Sequence, residues 1–211
     1  MSLQPVRLSP TQQREWNRDI CKQLRRLNSP TWGYTIIRTT YTPASDTQFP
    51  LFLRKLDAWV KWEVEYDLQG SELDPAPNQE MLSRYNNEVV EDRERLDGAT
   101  IEQVRELCSA RLQSHDHSVS AREQVCILVD DEALLNVMSA TETPESDGNL
   151  QATWVKVVQI TGLEDDEPWQ GWMKVALCLL MNFWFTVDDG SMEIYQLWEI
   201  AEDDNEGVYQ G

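Results

Sequence analysis

The chain has 211 residues, 41% hydrophobic and 26% charged. That length and balance suit one domain with a sizeable core and exclude disorder throughout. Its formal net charge is −19, which argues against nucleic acid and anionic membrane as partners, because phosphate binding needs a basic footprint. No stretch approaches the roughly 20 apolar residues needed to cross a bilayer, and the N-terminus lacks the apolar core of a secretory signal.

Ser9-Pro10 opens the first predicted helix, with serine as cap and proline at the first helical position. Trp16, Ile20, Leu24 and Leu27 then recur at helical spacing, and Asn28-Ser29-Pro30 ends the helix. Trp32–Tyr41 is rich in β-branched and aromatic residues and reads as a strand. Trp32, Tyr34, Ile36 and Arg38 share one of its faces. After a loop over Pro43–Asp46, a long helix is expected over Thr47–Leu68, with Phe49, Phe52, Leu53, Leu56, Trp59, Val60 and Val64 as its apolar stripe.

Gln69–Gln79 has linker composition. A third helix is expected over Glu80–Leu96, broken by Asp97-Gly98. A fourth starts at the capping-box pair Thr100 and Gln103. These two helices read as an arm inserted at about 79–114. Gln124–Val129 is a second strand, Asp130 and Asp131 cap a short helix, and Thr153–Ile160 is a third strand. Gly171–Val187 is apolar nearly all round, and its length and composition favour a buried helix. Glu193–Ile200 fits a fourth strand or a helix capped by Ser191. Residues 202–211 read as a mobile acidic tail.

Without the first helix and the arm, the order is β-α-β-β-α-β. The expected fold is therefore a single α+β domain with a ferredoxin-like core. The segments Trp32–Asp46, Trp154–Val158, Gly171–Lys174 and Gly207–Tyr209 resemble a large group of uncharacterised fungal proteins. The group has no established activity, so the resemblance implies a fungal, intracellular protein and carries over no catalytic residue.

Conventional chemistry is sparse. No dinucleotide fingerprint, Walker loop, nucleophile elbow or H-E-x-x-H occurs, and no cofactor is implied. His115 and His117 are the only histidines. In a strand they would face the same way and offer two metal ligands, but their serine-rich setting fits a solvated linker. Cys21, Cys108, Cys126 and Cys178 each sit in apolar-patterned segments without metal spacing. They read as reduced core thiols, consistent with a cytoplasmic or nuclear location. Asp130-Asp131-Glu132 and Asp188-Asp189 read as caps, and Glu164–Glu167 and Glu202–Asp204 as solvated runs.

Arg38, at the end of an apolar stripe, fits either a clamp for an anionic ligand or a salt bridge to downstream carboxylates. Trp169 and Trp172 fit a pocket mouth or loop anchors.

Charge placement is the most specific feature. Residues 1–61 hold ten Lys/Arg against four Asp/Glu, and residues 62–211 hold eight against thirty-three. Such halves complement each other within the fold or across a homodimer. The leading expectation is a protein-interaction or scaffold module. The alternative is a small-molecule binder or enzyme with a pocket near Arg38, Tyr41 and Trp172. An acidic mimic of nucleic acid is a third reading.

Overall fold

The computed structural model describes residues 9–26, 31–69, 72–112, 120–144, 152–161, 169–204 and 207–211. The strands are β1 (Thr35–Arg38), β2 (Glu88–Val90), β3 (Val125–Val129), β4 (Trp154–Gln159), β5 (Trp172–Ala176) and β6 (Val208–Tyr209). They form one mixed sheet in the order β2-β1-β3-β4-β5-β6. β1 runs parallel to β2 and β3, β4 is antiparallel to both β3 and β5, and β6 is parallel to β5.

The α+β class holds, but the ferredoxin-like order does not. A split β-α-β places a strand between its two parallel partners, whereas β1 and β3 are directly paired, Thr35 with Cys126. The segment weighed as a fourth strand, Glu193–Ile200, falls in a helix at Ile194–Asp204. The sheet is instead extended by three strands from segments read otherwise.

The helices are α1 (Pro10–Arg26), α2 (Pro43–Val64), α3 (Ala76–Arg84), α4 (Arg93–Leu96), α5 (Ile101–Leu112), α6 (Ala121–Gln124), α7 (Asp131–Ser139), α8 (Leu180–Asp188) and α9 (Ile194–Asp204). Several starts follow from their caps. Ser9 Oγ accepts from Gln12 N–H at 3.3 Å, and Gln12 Oε1 accepts from Ser9 N–H at 2.9 Å. Thr100 and Gln103 make the same reciprocal pair. Thr42 Oγ1 accepts from Ser45 N–H, with Pro43 at the first position, so α2 starts earlier than Thr47. The expected loop over Pro43–Asp46 is its first turn.

The inserted arm is also corrected. Glu80–Leu96 is not one helix: α3 stops at Arg84, and Val89 and Val90 enter the sheet beside β1. α5 lies on the sheet, burying Val104 and Cys108 with Leu96 against Ile37, Cys126, Leu128 and Val158. The opposite sheet face packs Ile36, Ile127, Val155, Val157 and Val175 against α2, α7, α8 and α9 through residues such as Phe52, Leu56, Val137, Phe183 and Leu197.

Gly171–Val187 divides into β5, a 3-10 turn at Leu177–Leu179, and α8. Burial on several sides hides a period of two as well as one of 3.6. The tail is not wholly free either. Val208 and Tyr209 pair with Lys174 and Val175, and Tyr209 is buried.

Candidate functional site

Arg38 ends β1 with its side chain 6% exposed. Nε donates to Thr40 O at 2.8 Å, and one terminal nitrogen donates to Glu91 Oε1 at 2.8 Å. The other donates to Ser45 Oγ at 3.2 Å and to Asp46 Oδ1. The guanidinium also lies 4.5 Å from the Tyr41 ring centroid and 4.8 Å from that of Phe49. Arg38 is thus the hub of an ionic and aromatic knot. Both salt bridges run to downstream carboxylates, one of the two arrangements its sequence position suggests.

Tyr41 completes the knot. Its Oη accepts from Asp92 N–H at 2.9 Å, and its carbonyl accepts from Arg93, which pairs in turn with Asp46 at 3.1 Å. Burial pushes the Tyr41 phenol up from its ordinary pKa.

Trp172 is not part of that arrangement. Side chains alternate along a strand. Trp172 pairs with Val158, on the face that packs against α5, whereas Arg38 follows Ile36 on the opposite face. On its own face Trp172 joins a two-strand checkerboard. Lys156 Nζ lies 4.9 Å from the Trp172 ring and Lys174 Nζ lies 4.2 Å from the Trp154 ring. Lys156 pairs with Asp130 and with Glu132 at 3.2 Å, and Lys174 pairs with Glu132 at 3.2 Å. Burial alone would raise the Glu132 carboxyl, but the two lysines outweigh it and hold the group below its ordinary pKa. Trp169 is separate again: its Nε1 donates to Gln159 Oε1 at 2.6 Å, and its ring sits 5.4 Å from Trp198. The four residues singled out from sequence therefore bring together Arg38 and Tyr41 only.

His115, His117 and the run Glu164–Glu167 lie outside the described residues. Among the described residues, no group of three or more His, Cys, Asp or Glu is placed to hold a metal ion. Asp130 caps α7 through Ala133 N–H at 2.9 Å, as its position suggests. Asp188 does something else: it accepts from Ala121 N–H at 2.9 Å at the start of α6, and burial raises its pKa.

A groove that sequence reasoning missed lies at the other end of the sheet from Arg38. It has a volume of ≈ 150 Å³ and is lined by Thr35, Glu88, Cys108, Arg111, Arg122 and Ile160 among others. α5 supplies Cys108 and Arg111, α6 supplies Arg122, and β3 supplies Cys126 directly behind Cys108. The two thiols share one apolar cluster. Cys126 and the Arg111 charge hold the Cys108 thiol below its ordinary pKa, against burial, whereas Cys126 is pushed well above it. No sequence signal marks this pair, because the two cysteines belong to different elements without motif spacing.

Comparison with family models, with curated proteins and with solved structures gives no match.

Part of the charge asymmetry of the sequence is met inside the fold. Arg14, buried on α1, pairs with fully buried Asp67 at 3.4 Å and donates to Asp74 O at 2.6 Å. Arg25 pairs with Glu80. Lys55 donates to the carbonyls of Val137, Met138 and Ala140 at the C-terminal end of α7, where the helix dipole favours a cation. From Glu123 onward the sequence holds nineteen acidic residues and only two basic ones, Lys156 and Lys174, both engaged by Asp130 and Glu132. After Lys174 no basic residue follows, and α9 exposes Glu199 and Glu202 next to exposed Glu193.

Proposed function

We propose that this chain is a protein-interaction module that presents an acidic face, centred on α9 and the turn before it, to a basic segment of another protein. The observation that carries the reading is the division of charge. Basic side chains such as Arg14, Arg38 and Lys156 are buried in internal pairs, while Asp189, Glu193, Glu199 and Glu202 are exposed in a stretch with no cation. A one-sign surface speeds association with an oppositely charged partner and loses strength as salt screens it. Arg14, Arg25 and Arg38 of the basic first segment are paired within the fold and so are withdrawn from contact with a second copy, while Arg18, Arg54 and Lys61 stay exposed.

Among the described residues, no helix is long and apolar enough to cross a membrane. A fungal origin and a cytoplasmic or nuclear place belong to the same proposal and rest on the sequence resemblance and the free thiols.

The test is fluorescence anisotropy of a labelled lysine- and arginine-rich peptide at low and high salt. Binding should fall with salt and weaken several-fold in the Glu193→Lys, Glu199→Lys, Glu202→Lys variant. Equal binding of an acidic control peptide, or no effect of the triple variant, refutes the reading. A solution mass twice that of the chain at all salt concentrations would restore the homodimer.

A further inference from the structure

We infer that Cys108 and Cys126 form an oxidisable dithiol, in which Cys108 attacks a peroxide and Cys126 resolves the product to a disulfide. Three observations place the roles. Cys108 lines the α5–α6 groove while Cys126 is fully buried behind it, so only Cys108 meets a molecule entering from solvent. The two side chains lie in one apolar cluster, where each thiol acts on the other's proton affinity. Two arginines line the groove, Arg111 and Arg122, with two carboxylates, Glu88 and Glu123, opposing them. Arg111 acts on Cys108 directly and pairs with Glu88. Arg122 donates to the carbonyls of Gly33 and Asn86, and Arg105 to those of Gln159 and Gln170. Neither is in an ion pair among the described residues, and the Arg105 charge acts on Cys126. Glu88, Glu102 and Glu123 are the opposing carboxylates nearby.

The shifts agree with this division: the Cys108 thiol is held low, and the proton stays on Cys126. Cys108 is itself 4% exposed and reaches solvent through the groove it lines, and an arginine beside a thiol favours its thiolate. Cys21 is the contrast. Burial and Glu80 push its thiol up to about 11.

The chemistry balances with hydrogen peroxide as the oxidant. The Cys108 thiolate attacks one peroxide oxygen, the O–O bond breaks, and hydroxide leaves and takes the proton that Cys108 released. Cys126 sulfur then attacks the Cys108 sulfenic sulfur. The S–S bond forms, the S–O bond breaks, and water leaves with the Cys126 proton. Two thiols are oxidised, one peroxide is reduced, and two waters result. Closing two unlinked thiols to a disulfide of ~2.05 Å requires α5 to move toward β3.

The test treats the full chain with hydrogen peroxide and follows intact mass and mapped peptides. The expected product has lost two hydrogens and links the Cys108 and Cys126 peptides. In Cys126→Ser, a sulfenic-acid trap such as dimedone should label Cys108 at least tenfold faster than Cys21, and Cys108→Ser should abolish both products. Should Cys126→Ser fail to fold, the linked peptide of the unmodified chain decides alone. A disulfide joining other cysteines, or Cys108 reacting no faster than Cys21, overturns the inference.

Discussion

Replacing Glu63 with glutamine should unlatch α8 from α2. α8 begins at Leu180 after Leu179, which provides no side-chain cap. Its first backbone donors are served from another helix instead. Glu63, 4% exposed, accepts from Met181 N–H at 2.8 Å and from Asn182 N–H at 3.0 Å. A carboxylate suits this place because the helix N-terminus carries partial positive charge. A glutamine side chain would keep one acceptor oxygen and turn an amide N–H toward the second donor. A charge-assisted hydrogen bond contributes ~1.5–3 kcal/mol, and a buried donor left unsatisfied costs ~1–3 kcal/mol. The two overlap, so Glu63→Gln should destabilise by roughly 2–4 kcal/mol, and Glu63→Ala by at least as much. At this chain length that lowers the melting temperature by on the order of 10 °C. Urea denaturation should show a lower midpoint at unchanged slope. A Glu63→Gln stability within about 0.5 kcal/mol of the parent would refute the capping role assigned to this carboxylate.

Gly33→Ala should destabilise by at least about 2 kcal/mol in the same assay. Its φ of 128° is one that L side chains rarely adopt, and an added Cβ would lie 2.5 Å from the Asn86 carbonyl oxygen. Arg38→Met should cost only ~1–2 kcal/mol, since Asp46 and Glu91 are half-exposed and return to water, and Ser45 still donates to the Thr40 carbonyl. A loss near the ~3–5 kcal/mol of a wholly buried pair would show that the carboxylates are trapped. Asp188→Asn should flatten the stability profile on the acid side. Burial raises the Asp188 pKa, so between its unfolded value and that raised value the folded state binds more protons, and stability falls as pH rises through this window. Midpoints at pH 4, 5 and 7 that run parallel for parent and variant would contradict this assignment.

Local signals were read correctly where one short rule governs them. Ser9-Pro10, the Thr100 and Gln103 box and the Asp130 cap each start the helix that their chemistry indicates, and the Thr42-Pro43 pair follows the same rule at α2. The strands at Ile36 and Val157 announce themselves by β-branched content. Reading failed where burial comes from both sides. Trp172–Ala176 packs two faces of a sheet, so its composition imitates a buried helix. Glu88–Val90 is too short to show a period, and its place is fixed by the neighbouring β1. Glu193–Ile200 satisfied both templates, and packing of Ile194, Leu197 and Ala201 selects the helix. At the candidate sites, Arg38 was marked by an arginine continuing an apolar stripe, and its ionic partners were foreseeable from charge alone. Cys108 and Cys126 were not, because their meeting depends on how α5 crosses β3.

The pairing of β1 sets an order for folding. β4 and β5 are separated by residues 160–171 and pair antiparallel, Val158 with Trp172, so their contact closes a smaller loop than the pairings of β1. β1 must instead slot between β2 and β3, bringing residue 35 to residues 88 and 126. Distant parallel pairing incurs loop-closure entropy before it gains contacts. The β4–β5 pair is therefore the expected early scaffold and β1 the late insertion. Substitutions at Val155 or Val157 should slow folding, while those at Ile36 or Ile37 should chiefly hasten unfolding. Resistance to unfolding, as distinct from equilibrium stability, would then be controlled by four residues in the first fifth of the chain.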